Sequence, residues 1–186
     1  MKVLFLHGLE SRPGGSKAIY LQDKGHEVLN PALPKSSFPE SVEIAQREVD
    51  EERPDVIVGS SRGGAVAMAV NPRGARLVLV APAWKNYGVT PSVPADTIVL
   101  HSTADDIIPY EDSQQIKGAS AVVPVGADHR MFDEEALVAI GRAVQQCQFH
   151  LIEPRWGLHY HTLRQPALHT LARFIQLLRV MLIIKN

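Results

Sequence analysis

VIVGSSRGGAVA, residues 56–67, puts two serines between glycines directly after a run of β-branched apolar residues. DVIVG (55–59) reads as a buried strand, and the small-residue stretch behind the serines reads as a helix. Only one frame gives G-x-S-x-G: Gly59-Ser60-Ser61-Arg62-Gly63, with Ser61 at the centre. Ser60 has no such frame, because Arg62 stands where the second glycine would have to be. A strand that turns straight into a helix around a serine holds that residue in a sparsely populated backbone conformation with its hydroxyl exposed. Small residues at 59 and 63 relieve the crowding where strand and helix nearly touch, and the helix start offers free N–H groups. An ordinary βα turn with a serine N-cap reads the same way locally. The decision lies in the rest of the chain.

Five further β-branched runs flank this one: 2–7, 26–30, 75–81, 96–101 and 120–125. Helical patterns at 16–24, 39–52, 62–70, 111–117 and 133–146 alternate with them. The second opens at Pro39 and turns Val42, Ile44, Ala45 and Val49 inward; the last opens on three acids, which suit the positive end of a helix dipole. Alternation of this kind predicts parallel βα units. The strands are apolar throughout, as strands covered on both faces are. The expected fold class is α/β, a doubly wound, mostly parallel sheet of about six strands with helices on both faces.

Composition narrows the function classes. The chain has 186 residues and a net charge of −1, which gives no electrostatic case for nucleic acid. Cys147 is the only cysteine, so no internal disulfide forms. MKVLFLHGLESRPGG lacks the length of a signal peptide, and no run reaches the roughly 18 apolar residues of a membrane span. A cytoplasmic location is expected.

A serine hydroxyl needs a base to take its proton, and the base needs an acid to orient it. VLHSTADDIIP places Asp105 and Asp106 just beyond the fifth strand, and VGADHRMF places His129 just beyond the sixth. Both fall at the carboxyl ends of parallel strands, the edge where Ser61 also lies and where open α/β sheets carry their sites. FLHGLES ends the first strand in His7-Gly8, from which the Leu9 N–H can reach an oxyanion; the Arg62 N–H, just after Ser61, is the second expected donor. His7 and His101, at strand ends, are read as structural hydrogen-bonding groups. The side chain of Arg62 is expected either against an acidic substrate group or in an exposed structural role, and that of Asp128 to point away from its neighbour His129.

FLHGLES, GSSRGG, LHSTADDIIP and GADHRMF together, in this order, resemble the α/β-hydrolase superfamily, in particular its compact single-domain bacterial esterases. The resemblance spans about residues 1–145. It implies a Ser-His-Asp hydrolase working through an acyl-enzyme, with no metal and no organic cofactor. Setting the acid-loop pattern on His101 and Asp105 favours Asp105 over Asp106 as the acid. Ser102 replaces the glycine usual in that pattern. The chain would begin at the third strand of the family's sheet. Members often carry a lid after the strand that here is 75–81; this chain has only PAWKNYGVTPSVPA (82–95), with Trp84 and Tyr87 expected to line a shallow site. The substrate implied is a small acyl ester or thioester. A lactone-opening or haloperoxidase-like enzyme, or a non-catalytic binding protein on the same scaffold, are the other readings.

Residues 1–146 thus form the expected hydrolase domain. Residues 147–186 carry five Lys/Arg against one acid, +4, which leaves −5 on the remainder. An amphipathic helix is predicted at 166–185, with three readings open: a helix for homodimerisation, a membrane-surface helix, or the product of a frame change near Cys147. His159, His161 and His169 lack metal-ligand spacing.

Overall fold

A computed structural model describes residues 1–149, with side chains through residue 146. The extension beyond 149, its predicted helix and dimer role, and its histidines lie outside the described residues. Six strands form one sheet: β1 (Lys2–Leu6), β2 (Glu27–Leu29), β3 (Val56–Ser60), β4 (Arg76–Val80), β5 (Ile98–His101) and β6 (Ala121–Pro124). Their order is β2-β1-β3-β4-β5-β6, and every neighbouring pair is parallel. The chain steps from β1 outward to β2, returns past β1 to β3, and then proceeds in one direction. This is the doubly wound arrangement read from the sequence.

Alternate side chains of each strand feed two cores. Val3, Phe5, Val56, Val58, Val78, Val80, Ile98 and Leu100 pack on one face with Ala18 and Leu21 of α1 (Ser16–Asp23) and Ala136 and Ile140 of α5 (Glu134–Phe149). Leu4, Leu6, Ile57, Leu77, Leu79 and Val99 pack on the other with Ala45 and Val49 of α2 (Phe38–Glu52) and Val66 and Ala67 of α3 (Arg62–Ala69). Covered faces explain why apolar runs, not alternation, mark the strands. α4 (Tyr110–Gln114) follows β5 and is shorter than the predicted 111–117. α5 runs to Phe149, past the boundary expected at 146.

The caps follow local chemistry. Ser37 opens α2 by accepting the Glu40 amide at 3.2 Å. Asp133 precedes α5 and accepts the amides of Ala136 and Ala127 at 3.0 and 3.1 Å. The inward face of α2 differs in part from the one expected. Ala45 and Val49 are buried as read, Val42 and Ile44 only partly, and Ser41 completes the buried stripe at helical spacing. Among the described residues, no helix is long and apolar enough to cross a membrane.

Candidate active site

Ser61 stands between β3 and α3 with φ 54° and ψ −118°, a left-handed-side conformation that L-residues rarely adopt. Its backbone is held from several sides. The Ser61 N–H donates to Val80 O at 2.8 Å, and the Ser61 carbonyl accepts from Gly64, Ala65 and Ala83 at 2.9, 3.2 and 3.1 Å. Strain persists only where the surroundings over-determine it, and here β4 and the start of α3 do so. Glycine is needed on both sides of the serine. A Cβ on Gly59 would lie 2.5 Å from Gly63 O, and one on Gly63 would lie 2.5 Å from the carbonyl carbon of Leu6.

Two loops at the same sheet edge bring partners to the serine. The loop after β6 carries His129, whose Nε2 lies 3.0 Å from Ser61 Oγ. The loop after β5 carries Asp105, whose Oδ2 lies 2.7 Å from His129 Nδ1. The carboxylate can only accept, so Nδ1 carries the ring hydrogen and Nε2 is left bare to receive the hydrogen bond of the Ser61 hydroxyl. Asp105's side chain is wholly buried, whereas that of His129 keeps a little exposure. Burial pushes the Asp105 carboxyl up, but the Ile108 amide, the His129 hydrogen bond, the Ile107 amide and the His129 charge outweigh it. It therefore lies below the usual carboxylate range. Asp106 is exposed. Of the two adjacent acids, Asp105 is the one brought to His129.

The two loops are also tied to each other. Ser102, which stands where the resemblance calls for glycine, donates its hydroxyl to Gly126 O at 2.7 Å and accepts the Ala104 amide at 3.1 Å. Asp128 turns into its own loop, where its carboxylate accepts the amides of Arg130 and Met131 at 2.8 and 3.3 Å. Lys17 of α1 reaches across to donate to the Arg130 carbonyl. Nothing in the periodicity of α1 pointed to that lysine, because its acceptor lies 113 residues away.

Gly8 abuts the turn between β3 and α3. A Cβ there would lie 3.4 Å from Ser61 Cβ and 4.0 Å from Ser61 Oγ, so the Gly8–Leu9 peptide runs beside the serine. His7 steadies this turn by accepting the Leu33 amide on Nε2 at 3.2 Å and donating Nδ1–H to Gly8 O at 2.9 Å. Arg62 begins α3, where a backbone N–H has no acceptor one turn earlier in the helix.

The side chain of Arg62 corrects both expectations made for it. It is neither exposed nor aimed at a substrate, being only 2% exposed. Its guanidinium donates to Pro34 O at 2.8 Å, Ser37 O at 3.0 Å and Ser41 Oγ at 2.9 Å. It also lies near the rings of Phe38 and Tyr87, 5.8 and 5.7 Å from their centroids. The physical reason is that a planar fork can satisfy carbonyls at the start of α2 while the aromatic pair covers it. Tyr87 accordingly stacks on Phe38 at 4.5 Å and is half-buried. Trp84 is likewise corrected. It is buried in the core beneath the loop, with its indole N–H given to Asp112 O at 3.0 Å, and so does not form an open wall. Among the described residues no group of His, Cys, Asp or Glu is arranged to hold a metal ion.

The sequence matches no family model. No curated protein matches it either. Solved structures do match, at low identity. Mouse alpha/beta hydrolase domain-containing protein 10 superposes with a TM-score of 0.66 at 15% identity, over 81% of this chain and 90% of that one. The esterase domain of a Rhodothermus marinus protein gives 0.58 at 16% identity, over 79% and 86%. A monoacylglycerol lipase from Paleococcus ferrophilus gives 0.57 at 16% identity, over 97% and 94%. The chain has the α/β-hydrolase fold, in a minimal six-stranded form.

Proposed function

We propose that this protein is a serine hydrolase that cleaves a small carboxylic ester or thioester through an acyl-enzyme. The observation that carries this reading is the chain of contacts Ser61 Oγ to His129 Nε2 at 3.0 Å and His129 Nδ1 to Asp105 Oδ2 at 2.7 Å. Those are working distances for a nucleophile, its base and the group that orients the base.

In the proposed reaction Ser61 Oγ attacks the substrate carbonyl carbon while its proton passes to His129 Nε2. The carbonyl π pair becomes an oxyanion, which accepts hydrogen bonds from the N–H groups of Leu9 and Arg62. Asp105 keeps the imidazole in the productive tautomer and stabilises the imidazolium. Collapse of the tetrahedral intermediate re-forms the carbonyl and expels the alkoxide or thiolate, which takes the proton from His129. Water, deprotonated by the same histidine, then attacks the acyl-serine and releases the carboxylic acid.

The substrate class rests on the segment between β4 and β5, which holds one short 3-10 turn (Trp84–Tyr87) and no lid domain. Leu9 and Ile107, on the loops after β1 and β5, are exposed apolar residues that can meet a short acyl group. The test is reaction with a fluorophosphonate probe, followed by turnover of p-nitrophenyl esters of increasing chain length. Labelling at Ser61 and preference for short acyl chains are expected. Ser61→Ala should lower turnover at least about 10⁴-fold while leaving the melting temperature close to that of the parent. Ester turnover by Ser61→Ala at the parent rate would overturn the assignment, and absence of labelling in the parent would favour a binding protein on this scaffold.

A further inference from the structure

His101 ends β5 with its side chain wholly buried, beneath the loop that carries Asp105. Its Nε2 has two neighbours, Asp105 Oδ2 at 2.9 Å and Ile108 O at 3.1 Å. Both are acceptors, so Nε2 carries a hydrogen. Nδ1 meets Ser113 Oγ at 2.7 Å, and a hydroxyl can serve that nitrogen as donor or acceptor. The edge of Tyr110 packs against the ring at a centroid distance of 5.7 Å.

The oxygen that His101 meets is the one that also meets His129. Asp105 Oδ2 thus accepts from two imidazoles, while Oδ1 accepts the amides of Ile107 and Ile108 at 2.9 and 2.8 Å. Four donors fill the capacity of a carboxylate. A histidine that merely filled space under the loop would not need its donor nitrogen on that oxygen.

We propose that His101 is a positioning residue for the site: its Nε2–H shares Asp105 Oδ2 with His129, locking the carboxylate in place and restraining how strongly it stabilises a protonated His129. The proposal rests on the reading of His129 as the base. Each donor on an anionic oxygen draws on the same negative charge, so the second imidazole lessens what is left for the first. The effect is to keep His129 available as a proton acceptor, while Asp105 still fixes its tautomer. Asp105 and His129 are the ionisable groups in direct contact with this arrangement, with Tyr110 at the far edge of His101. Asp106 is exposed, and Asp128 is engaged with the amides of its own loop.

The experiment is a ¹⁵N NMR titration of the histidines in the full chain, with the pH profile of ester turnover beside it. In the parent, His101 is expected with hydrogen on Nε2. In His101→Leu, which removes the donor, the His129 midpoint and the acid limb of kcat/KM are expected to move up by at least about half a pH unit. His101→Gln, which returns an N–H near the same place, should restore the parent midpoint. A folded His101→Leu protein with an unmoved His129 midpoint would overturn the proposal. So would a parent His101 carrying hydrogen on Nδ1 alone, a measurement that decides the matter even if the leucine variant does not fold. Because the midpoint is read by NMR, the two failures are distinguishable: an inactive protein that still showed the shift would refute the hydrolase reading, and with it the positioning role, while leaving the coupling of His101 to His129 through Asp105 Oδ2 in place.

Discussion

Replacing Gly63 by alanine sets two effects of opposite sign against each other. In an exposed helix the change is stabilising by about 1 kcal/mol, because alanine loses less backbone freedom than glycine. At this position the added methyl would sit 2.5 Å from the carbonyl carbon of Leu6 and 2.7 Å from His7 O, closer still to Leu6 O. Carbon atoms pack at about 3.5–4.0 Å, so α3 must retreat from β1 by about 1 Å. The three nearest atoms are backbone of β1 or of the turn beyond it, and none can swing aside. Overpacking of this kind costs about 1–3 kcal/mol or somewhat more, which exceeds the propensity gain. A net loss of about 2 kcal/mol corresponds to a fall of roughly 4–8 °C in melting temperature. The same retreat carries Ser61 away from His129, and a 1 Å displacement of a reacting group lowers turnover about 10²-fold. Thermal unfolding and ester kinetics on Gly63→Ala read both. Gly141→Ala is the control, since the atoms nearest its methyl all belong to the movable ring of Tyr20, the first at 3.1 Å. That variant should stay within about 1 kcal/mol of the parent. A Gly63→Ala protein as stable and as active as the parent would refute the close-approach argument.

Arg62→Met leaves Pro34 O, Ser37 O and Ser41 Oγ without their common donor, and urea denaturation should show a loss of about 2–4 kcal/mol. Arg62→Lys should recover little of it, because an ammonium cannot reproduce the planar fork beside Phe38 and Tyr87. Asp105 has a folded-state pKa below its ordinary value, so it contributes stability above the unfolded value that is lost as pH falls through the folded one. Urea midpoints measured from neutral pH down to about pH 3 should fall less steeply below about pH 4 in Asp105→Asn than in the parent. Burial pulls Lys17 down to about 8 against the upward pull of Asp128 and Asp133, from an ordinary value of 10.5. Between those two values the unfolded chain binds more protons, so parent stability should rise with pH relative to Lys17→Met. Parallel melting curves for the two proteins across that window would refute it.

The sheet was legible because each strand is a short apolar run bounded by turn residues, and periodicity marked the helices between them. Strand limits agree to within one or two residues. Glycine spacing gave Ser61 and not Ser60 the G-x-S-x-G frame, the downstream Asp105 and His129 completed the choice, and the backbone at Ser61 has the positive φ that so tight a strand-to-helix turn requires. Between Asp105 and Asp106 the residues themselves gave no preference, since neighbouring carboxylates on one loop differ only in where the loop aims them. Arg62 was misread for a related reason. An arginine beside a candidate nucleophile invites an electrostatic reading, yet its acceptors lie 21 to 28 residues upstream, brought close only when α2 packs on α3. The one trace was Ser41, a small polar residue in step with Ala45 and Val49 on the buried stripe of α2. Trp84 went astray because a loop aromatic carries no sign of which way it points.

The sheet order bears on how the proposed site would come apart. Ser61 follows β3, inside the sheet, but His129 follows β6, a strand of four residues that, among the described residues, has a neighbour on one side only. Edge segments open by local fluctuation at a smaller free-energy cost than the central strands. Detachment of β6 would part His129 from Ser61 while β1, β3 and β4 stayed paired. Under mild heat or denaturant, ester turnover should therefore fade ahead of global unfolding, with amide exchange faster at 121–123 than in β1, β3 and β4. Pro124, which has no N–H to offer a passing strand, closes that edge against an intruder.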